Sequence, residues 1–239
     1  MTMPDQKGAF FVIEGVDGSG KSTIARALAA AMSDVPVIYS SHKEIATGSP
    51  AVEQGMRQLA DLLWPKEQKH LASLPSEYRV LLHAAWFSIF SDCVIKPRLD
   101  AGTVFILDGW YYKMMARLRI DGYSREYLNA IFSCAAEPDE IIFLDPPVEE
   151  VWARMEAGGR SFGPVEMGLY GGYEELGRES FLSYQARTRD MLKALAVERN
   201  RRLVDIKEIE SIEETVSAIS LAIRERLNEQ GRQTVPTTG

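Results

Sequence analysis

Apolar residues gather in five short runs, at 10–13, 35–39, 104–107, 141–144 and 203–206. Each is rich in β-branched or aromatic residues and too short for a helix, which predicts strands buried on both faces. Helical patterns separate them. After the first run, Ile24, Leu28 and Met32 recur every fourth residue. Residues 51–63 read as a helix that opens after Gly48-Ser49-Pro50 and stops at Trp64-Pro65. A turn at 73–76 precedes the strongest long helix, 77–99, which Pro97 is expected to bend or end. Further helices are expected over 148–155, 179–199 and 212–228. Strands that alternate with helices in this way predict an α/β fold with three α/β/α layers around a five-stranded parallel sheet. Right-handed crossovers then place the loops that follow the strands along one edge, where α/β proteins bind ligands.

The remaining stretches set the boundaries. Seven of the eighteen glycines fall between Gly158 and Gly177, with Arg160 and Arg178 in or beside them. That concentration predicts a mobile lid over about 156–178 rather than core. Residues 229–239 are polar and expected to be a disordered tail. No repeat, low-complexity tract or linker divides 1–228, so it reads as one domain.

The first strand runs into Gly15-Val16-Asp17-Gly18-Ser19-Gly20-Lys21-Ser22-Thr23 and then into a helix. This is G-x-x-x-x-G-K-[ST] in the strand-to-helix setting that a phosphate loop requires, so the expected fold is that of a P-loop NTPase. Glycines free the backbone to turn successive N–H groups inward around a polyphosphate, and the helix N-terminus adds partial positive charge. Lys21 would reach the β- and γ-phosphates of ATP, and the Ser22 hydroxyl would ligate Mg²⁺. The cofactor-binding set is therefore Gly15, Asp17, Gly18, Ser19, Gly20, Lys21, Ser22 and Thr23.

Composition narrows the partners. Acidic residues outnumber basic ones by 34 to 27, a formal net charge of −7. Stable nucleic-acid binding is not expected of such a chain, because it depends on neutralising phosphates. Cys93 and Cys134 have no metal-like spacing and suit free thiols in a reducing cytoplasm. Residues 1–7 lack the apolar core of a signal peptide, and no apolar run approaches the roughly 20 residues of a membrane helix. A cytoplasmic protein with no membrane partner is expected.

Carboxylates at strand ends can hold Mg²⁺ or its waters. Asp108 ends the third strand and Asp145 the fourth. Asp108 is a candidate catalytic and metal residue. Asp145 is more readily read as capping the helix behind it. Arg154, Arg160 and Arg178 sit where loop closure could bring a cation over the transferring phosphoryl. Asp17 has two readings, binding an acceptor hydroxyl or bracing its own turn. Trp86, Phe87, Trp110, Tyr111 and Tyr112 offer flat faces to a base, with core packing expected for at least half of them.

These pieces resemble the thymidylate kinase family. The loop from Phe11 to Thr23, with its Asp, is similar to the family's own phosphate loop. Leu81-Leu82-His83-Ala84-Ala85, Val94-Ile95-Lys96-Pro97 and Ala101-Gly102 resemble its third helix and following turn. Leu144-Asp145-Pro146-Pro147 with Arg154, and Val204-Asp205 with Ile212-Glu213-Glu214-Thr215-Val216, resemble later elements, so the likeness reaches about residue 221. The resemblance implies transfer of the ATP γ-phosphoryl, with Mg²⁺, to a nucleoside monophosphate. It implies that Asp17 contacts the acceptor's 3′-hydroxyl, that Arg154 and Arg160 act on the transferring phosphoryl, and that the protein pairs as a homodimer.

Departures cluster on the acceptor side. The family has Asp-Arg-aromatic after the third strand, where the Arg holds the acceptor phosphate; here the stretch is Asp108-Gly109-Trp110. The family's base-stacking Phe and the Arg four residues on appear as His83 and Phe87. Its Thr-Arg-Glu-Pro-Gly segment has no clear match in Ser40-Ser41-His42-Lys43-Glu44, and its Ala-Tyr-Gln appears as Ala116-Arg117-Leu118. Lys113 or Lys43 could supply the missing charge with poorer geometry. The substrate-binding set is Asp17, His83, Phe87, Trp110 and Lys113; the catalytic set is Lys21, Arg154, Arg160 and Asp108; the metal set is Ser22 and Asp108. The small-molecule phosphoryl acceptor is dTMP or a different one: another nucleotide, a nucleoside or a small molecule. The alternative from another class is a nucleotide-binding protein without transfer activity.

Overall fold

A computed structural model describes residues 7–41, 47–65, 74–199, 202–206 and 211–231. Lys43 and residues 232–239 lie outside the described residues, whereas the first residues of the expected tail are ordered: Glu229 ends a helix and the Gln230 amide donates to Asp139 at 2.9 Å. The five apolar runs form one parallel sheet. Its strands are β1 (Phe10–Gly15), β2 (Val37–Ser41), β3 (Val104–Asp108), β4 (Glu140–Leu144) and β5 (Arg202–Ile206), in the order β2-β3-β1-β4-β5. β2 starts two residues later than the apolar run suggests. Pro36 has no N–H for the ladder, though its carbonyl still accepts from the Val104 amide at 2.9 Å.

The strand alternation sorts side chains into two layers. Phe11 and Ile13 of β1 pack with Ile24 and Leu28 of α1 (Lys21–Ala31) and with Ile219 and Ile223 of α9 (Ile212–Glu229). Phe10 and Val12 face the opposite layer, built from α2 (Pro50–Leu63), α3 (Ser76–Phe90), α5 (Tyr111–Ile120), α6 (Arg125–Ile131) and α8 (Arg178–Glu198). α7 (Val148–Ala157) follows β4. By the same alternation Glu14 points toward the α3 and α5 side.

Pro97 does not end the long helix. α3 runs through a π turn, Ser91–Ile95, into α4 (Lys96–Asp100), with Pro97 in the first turn of α4. Its missing N–H thus falls beside a place where the α-helical bond pattern is already altered. The whole Ser76–Asp100 stretch is long and apolar enough to span a membrane, but 44% of its most apolar window is buried inside the protein. Val80, Trp86, Phe90, Val94 and Ile95 are core residues.

α5 and α6 were not legible as helices. The aromatic opening of α5 reads as a continuation of strand chemistry. α6 does carry a start signal: the Ser124 hydroxyl accepts the Tyr127 amide at 3.2 Å. The glycine-rich segment is a series of turns and is not all surface. Phe162 is buried in a small third cluster with Val16, Val148, Val151 and Phe181. Cys93 and Cys134 are free.

Candidate active site

The loop between β1 and α1 has Gly18 and Gly20 in left-handed backbone, at φ 79° and 98°. Gly18 is under an additional constraint. A Cβ there would lie 2.8 Å from Val151 Cγ1 and 3.1 Å from the Phe162 ring. Lys21, the first residue of α1, donates to the loop's own carbonyls, Gly15 at 3.0 Å and Val16 at 2.6 Å. Burial brings its ammonium down to about 8, helped by the nearby Lys113 charge and opposed by Asp17, Glu14 and Asp108.

Beside the loop lies a cavity of about 600 Å³. α3 supplies one wall through Arg79, His83 and Phe87, spaced one helical turn apart on a single face. α5 supplies the facing wall through Lys113 and Arg117, with Asp121 at its far end. Asp17, Lys21, Ser22, Asp108, Gly109 and Trp110 close the sheet end, and Arg160 and Tyr170 reach in from the glycine-rich segment.

Asp17 is the hub. Its carboxylate accepts from Lys113 at 2.6 Å, from Arg117, and from the Gln185 amide at 3.1 Å. Burial alone would raise its pKa, but the charges of Arg117, Lys113 and Lys21 hold it well below the usual carboxylate range. The Asp17 backbone N–H also donates to Gln185 Oε1 at 3.2 Å, and Gln185 Nε2 donates to the Glu166 carbonyl at 2.7 Å. Arg79 is engaged elsewhere: it pairs with Asp121 at 3.7 Å and lies over the Tyr170 ring, 3.5 Å from its centroid.

Two carboxylates stand at the sheet end. Glu14 accepts from the Trp110 amide through Oε1 at 2.8 Å, while its buried Oε2 has no hydrogen-bond partner among the described residues. Burial pushes it up to about 7, against that hydrogen bond and the charges of Lys113 and Lys21. Asp108 accepts from the Tyr39 hydroxyl at 3.3 Å through Oδ2, and its buried Oδ1 is likewise without a partner. Among the described residues no cluster of three His, Cys, Asp or Glu could cage a metal. Mg²⁺ needs no such cage: it keeps waters and takes one or two protein ligands beside substrate phosphates. Ser22, in the cavity wall, and the open oxygen of Asp108 fit that donor set.

Other expected site residues fall elsewhere. Asp145 neither caps a helix nor faces the cavity. α7 starts after Pro147, and the buried Asp145 carboxylate instead accepts from Arg189, through Nη2 at 2.7 Å, and from Lys193. Arg154 is exposed on α7 and Arg178 exposed at the start of α8, and neither lines the cavity. Of the five aromatics, Phe87 and Trp110 line it, with centroids 4.9 Å apart. Trp86 is core, and Tyr111 and Tyr112 stack at 4.5 Å with both hydroxyls donated to Glu137. His83 Nδ1 hydrogen-bonds the Arg79 carbonyl at 2.7 Å, which fixes its ring against the wall.

Glu14, Arg79 and Gln185 were not anticipated. An acidic residue before a glycine and single polar residues inside long helices give no local signal, and their partners are distant in sequence.

No protein-family model matches the chain. It is 33% identical over 153 residues to a probable thymidylate kinase of Pyrococcus abyssi, covering 64% of this chain and 72% of the relative. It is 28% identical over 221 residues to the thymidylate kinase of Pelotomaculum thermopropionicum, covering 89% and 96%. A third relative, the thymidylate kinase of Prochlorococcus marinus, is 32% identical over 151 residues, covering 60% and 69%.

Proposed function

Since the chain belongs to the thymidylate kinase family and is a P-loop kinase, we propose that it moves the γ-phosphoryl of ATP, with Mg²⁺, to a nucleoside monophosphate. One observation carries this reading: the phosphate loop and its Lys21 open onto a charged, aromatic-walled cavity of about 600 Å³, large enough for a nucleotide.

The chain's residues divide the work. The loop amides and Lys21 bind the donor's phosphates. Lys21 and Arg160 offset the charge that spreads over the phosphoryl oxygens during transfer. Ser22 and Asp108 would hold Mg²⁺ or its waters, and the bound ion would supply charge neutralisation at the phosphates. His83, Phe87 and Trp110 form the surface on which the acceptor's base packs. With a polyphosphate in the loop, Lys21 gains an anionic partner and returns to full charge.

Incubation with Mg²⁺, ATP and a panel of nucleoside monophosphates and nucleosides tests this, with product identified by mass. The proposal expects ADP and a nucleoside diphosphate. Tight ATP binding with no phosphorylated product from any panel member would leave a nucleotide-binding protein in its place.

A second acceptor reading has its own observation. Phe87 presents apolar surface, and Gly109 leaves open space, where the family pattern has two arginines. That favours an acceptor other than dTMP, and the same panel separates the two.

A further inference from the structure

We infer that Lys113 and Arg117 form the anchor for the acceptor's phosphate, from a position on α5 rather than from the end of β3. The inference rests on the nucleoside monophosphate reading above and names the residues that recognise its anion.

The end of β3 supplies no cation. Gly109 sits at φ 78°, and a Cβ built there meets nothing within 4 Å. An anion drawn to this end of the cavity must find its charge elsewhere. Arg79 faces Asp121, at the far end of α5 from the phosphate loop, and the Tyr170 ring. Arg160 comes from the glycine-rich segment and is assigned to the donor. Among the described residues Lys113 and Arg117 remain. They are four residues apart on α5, share one face and both line the cavity.

Asp17 makes them a clamp. Two cations this close would repel each other. A carboxylate between them holds both in place. It uses few of their donors: a lysine has three N–H groups and an arginine five. Arg117 is nine-tenths buried, and its buried Nε has no hydrogen-bond partner among the described residues. Lys21 stands close by, so three cations meet Asp17 at this corner, with Glu14 and Asp108 beyond it at the sheet end. A planar guanidinium and a point ammonium on one face suit the tetrahedral oxygens of a phosphate monoester. The same hydrogen bonds crowd Asp17, which leaves its carboxylate as scaffold for the clamp more than as a free acceptor for a sugar hydroxyl.

The probes are dTMP and thymidine, which differ only in the phosphate. Isothermal titration of the full-length protein gives the ratio of their affinities. In the wild type, dTMP is expected to bind about 100-fold more tightly. Arg117→Gln and Lys113→Gln should each cut that ratio about tenfold or more, and Arg117→Lys should recover part of it. A purely structural role would weaken both ligands alike and leave the ratio standing. Lys113→Gln keeps the Arg117–Asp17 pair, so it serves if Arg117→Gln does not fold. A wild-type preference for dTMP that survives in both glutamine variants overturns the anchor while sparing the kinase reading. No preference in the wild type overturns the anchor as well, and the panel of nucleoside monophosphates and nucleosides then decides the kinase reading separately.

Discussion

The ring of Phe162 stacks on that of Phe181 with centroids 4.0 Å apart, and its edge meets the phosphate loop at Gly18. The glycine-rich segment is therefore tied to the loop by apolar contact as well as by sequence proximity. Phe162→Ala should lower stability by about 3 kcal/mol, the usual scale for emptying a buried phenylalanine site. It should also speed proteolytic cleavage between residues 158 and 177. Gly18→Ala combines left-handed strain with a close approach to Val151, and should weaken ATP binding. Denaturation curves, timed proteolysis and nucleotide titration check these; a Gly18→Ala protein with unchanged ATP affinity would show that the contact is incidental.

Lys21→Ala should abolish transfer while the fold survives. The loop carbonyls of Gly15 and Val16 lose a donor, but the glycine-shaped backbone remains. Transfer should fall by about a thousandfold or more, as when one charge stabiliser is removed from a transition state. Activity within tenfold of wild type, on a protein with a normal melting curve, would remove Lys21 from its assigned role.

The two candidate lid arginines should separate. Arg160 lines the cavity and Arg154 is exposed on α7. Arg160→Ala should reduce kcat more than it raises the KM for ATP, because its contact tightens on closure. Arg154→Ala should change kcat by less than about threefold. Steady-state kinetics on both variants decide, and the reverse ranking would mean that the segment rearranges to bring α7 inward.

Glu14 predicts a pH dependence of stability. Burial raises it from 4.5 to about 7, so across that interval the folded chain holds the proton that the unfolded chain has released. Its contribution is full below about 4.5 and is lost as pH rises through 7. Lys21, lowered from 10.5 to about 8, works at the other end: its contribution is full above 10.5 and lost as pH falls through 8. Glu14→Gln removes the first effect. Urea midpoints at pH 5 and pH 8 should show the wild type losing ground to the variant as pH rises. A pH-independent gap between them would contradict the raised value.

dTMP turnover should be modest, with kcat/KM at or below about 10⁴ M⁻¹s⁻¹, the low end of the usual enzyme range. Values near 10⁵ M⁻¹s⁻¹ or better would sink the altered-acceptor reading. Reinstating arginine at 109 and 87 is not a clean rescue. Position 109 is left-handed at φ 78°, and Phe87 is packed among Trp110, Tyr111 and Phe132. A charge placed at 87 would be desolvated without a partner.

The fold and the donor side were legible because their signals are contiguous. Five apolar runs and one nine-residue loop carry them. The acceptor side was legible mainly as departures. The Asp17 hub joins partners 96, 100 and 168 residues away, and no local pattern announces such a meeting. Arg117 stood out only as a broken triplet, and α5 was hidden because its leading tyrosines suit a strand as well as a helix. Asp145 misled for the opposite reason: Asp-Pro-Pro after a strand looks like a cap, yet α8 supplies cations that claim the carboxylate first.

Gln185 is buried with its amide touching both ends of the Asp17 residue and the Glu166 carbonyl. Only an amide can do this, since the task needs an acceptor for one N–H and donors for two oxygens. A glutamate would face Asp17 with like charge, and a lysine could not accept. An amide also has no proton to gain or lose over the working range of a cell. The link between the glycine-rich segment and the Asp17 hub is thus insulated from acidity, while Glu14, raised to about 7, and Lys21, lowered to about 8, are not. A fall in pH would alter the charges that the enzyme presents to its ligands before it altered the registration of the parts that enclose them.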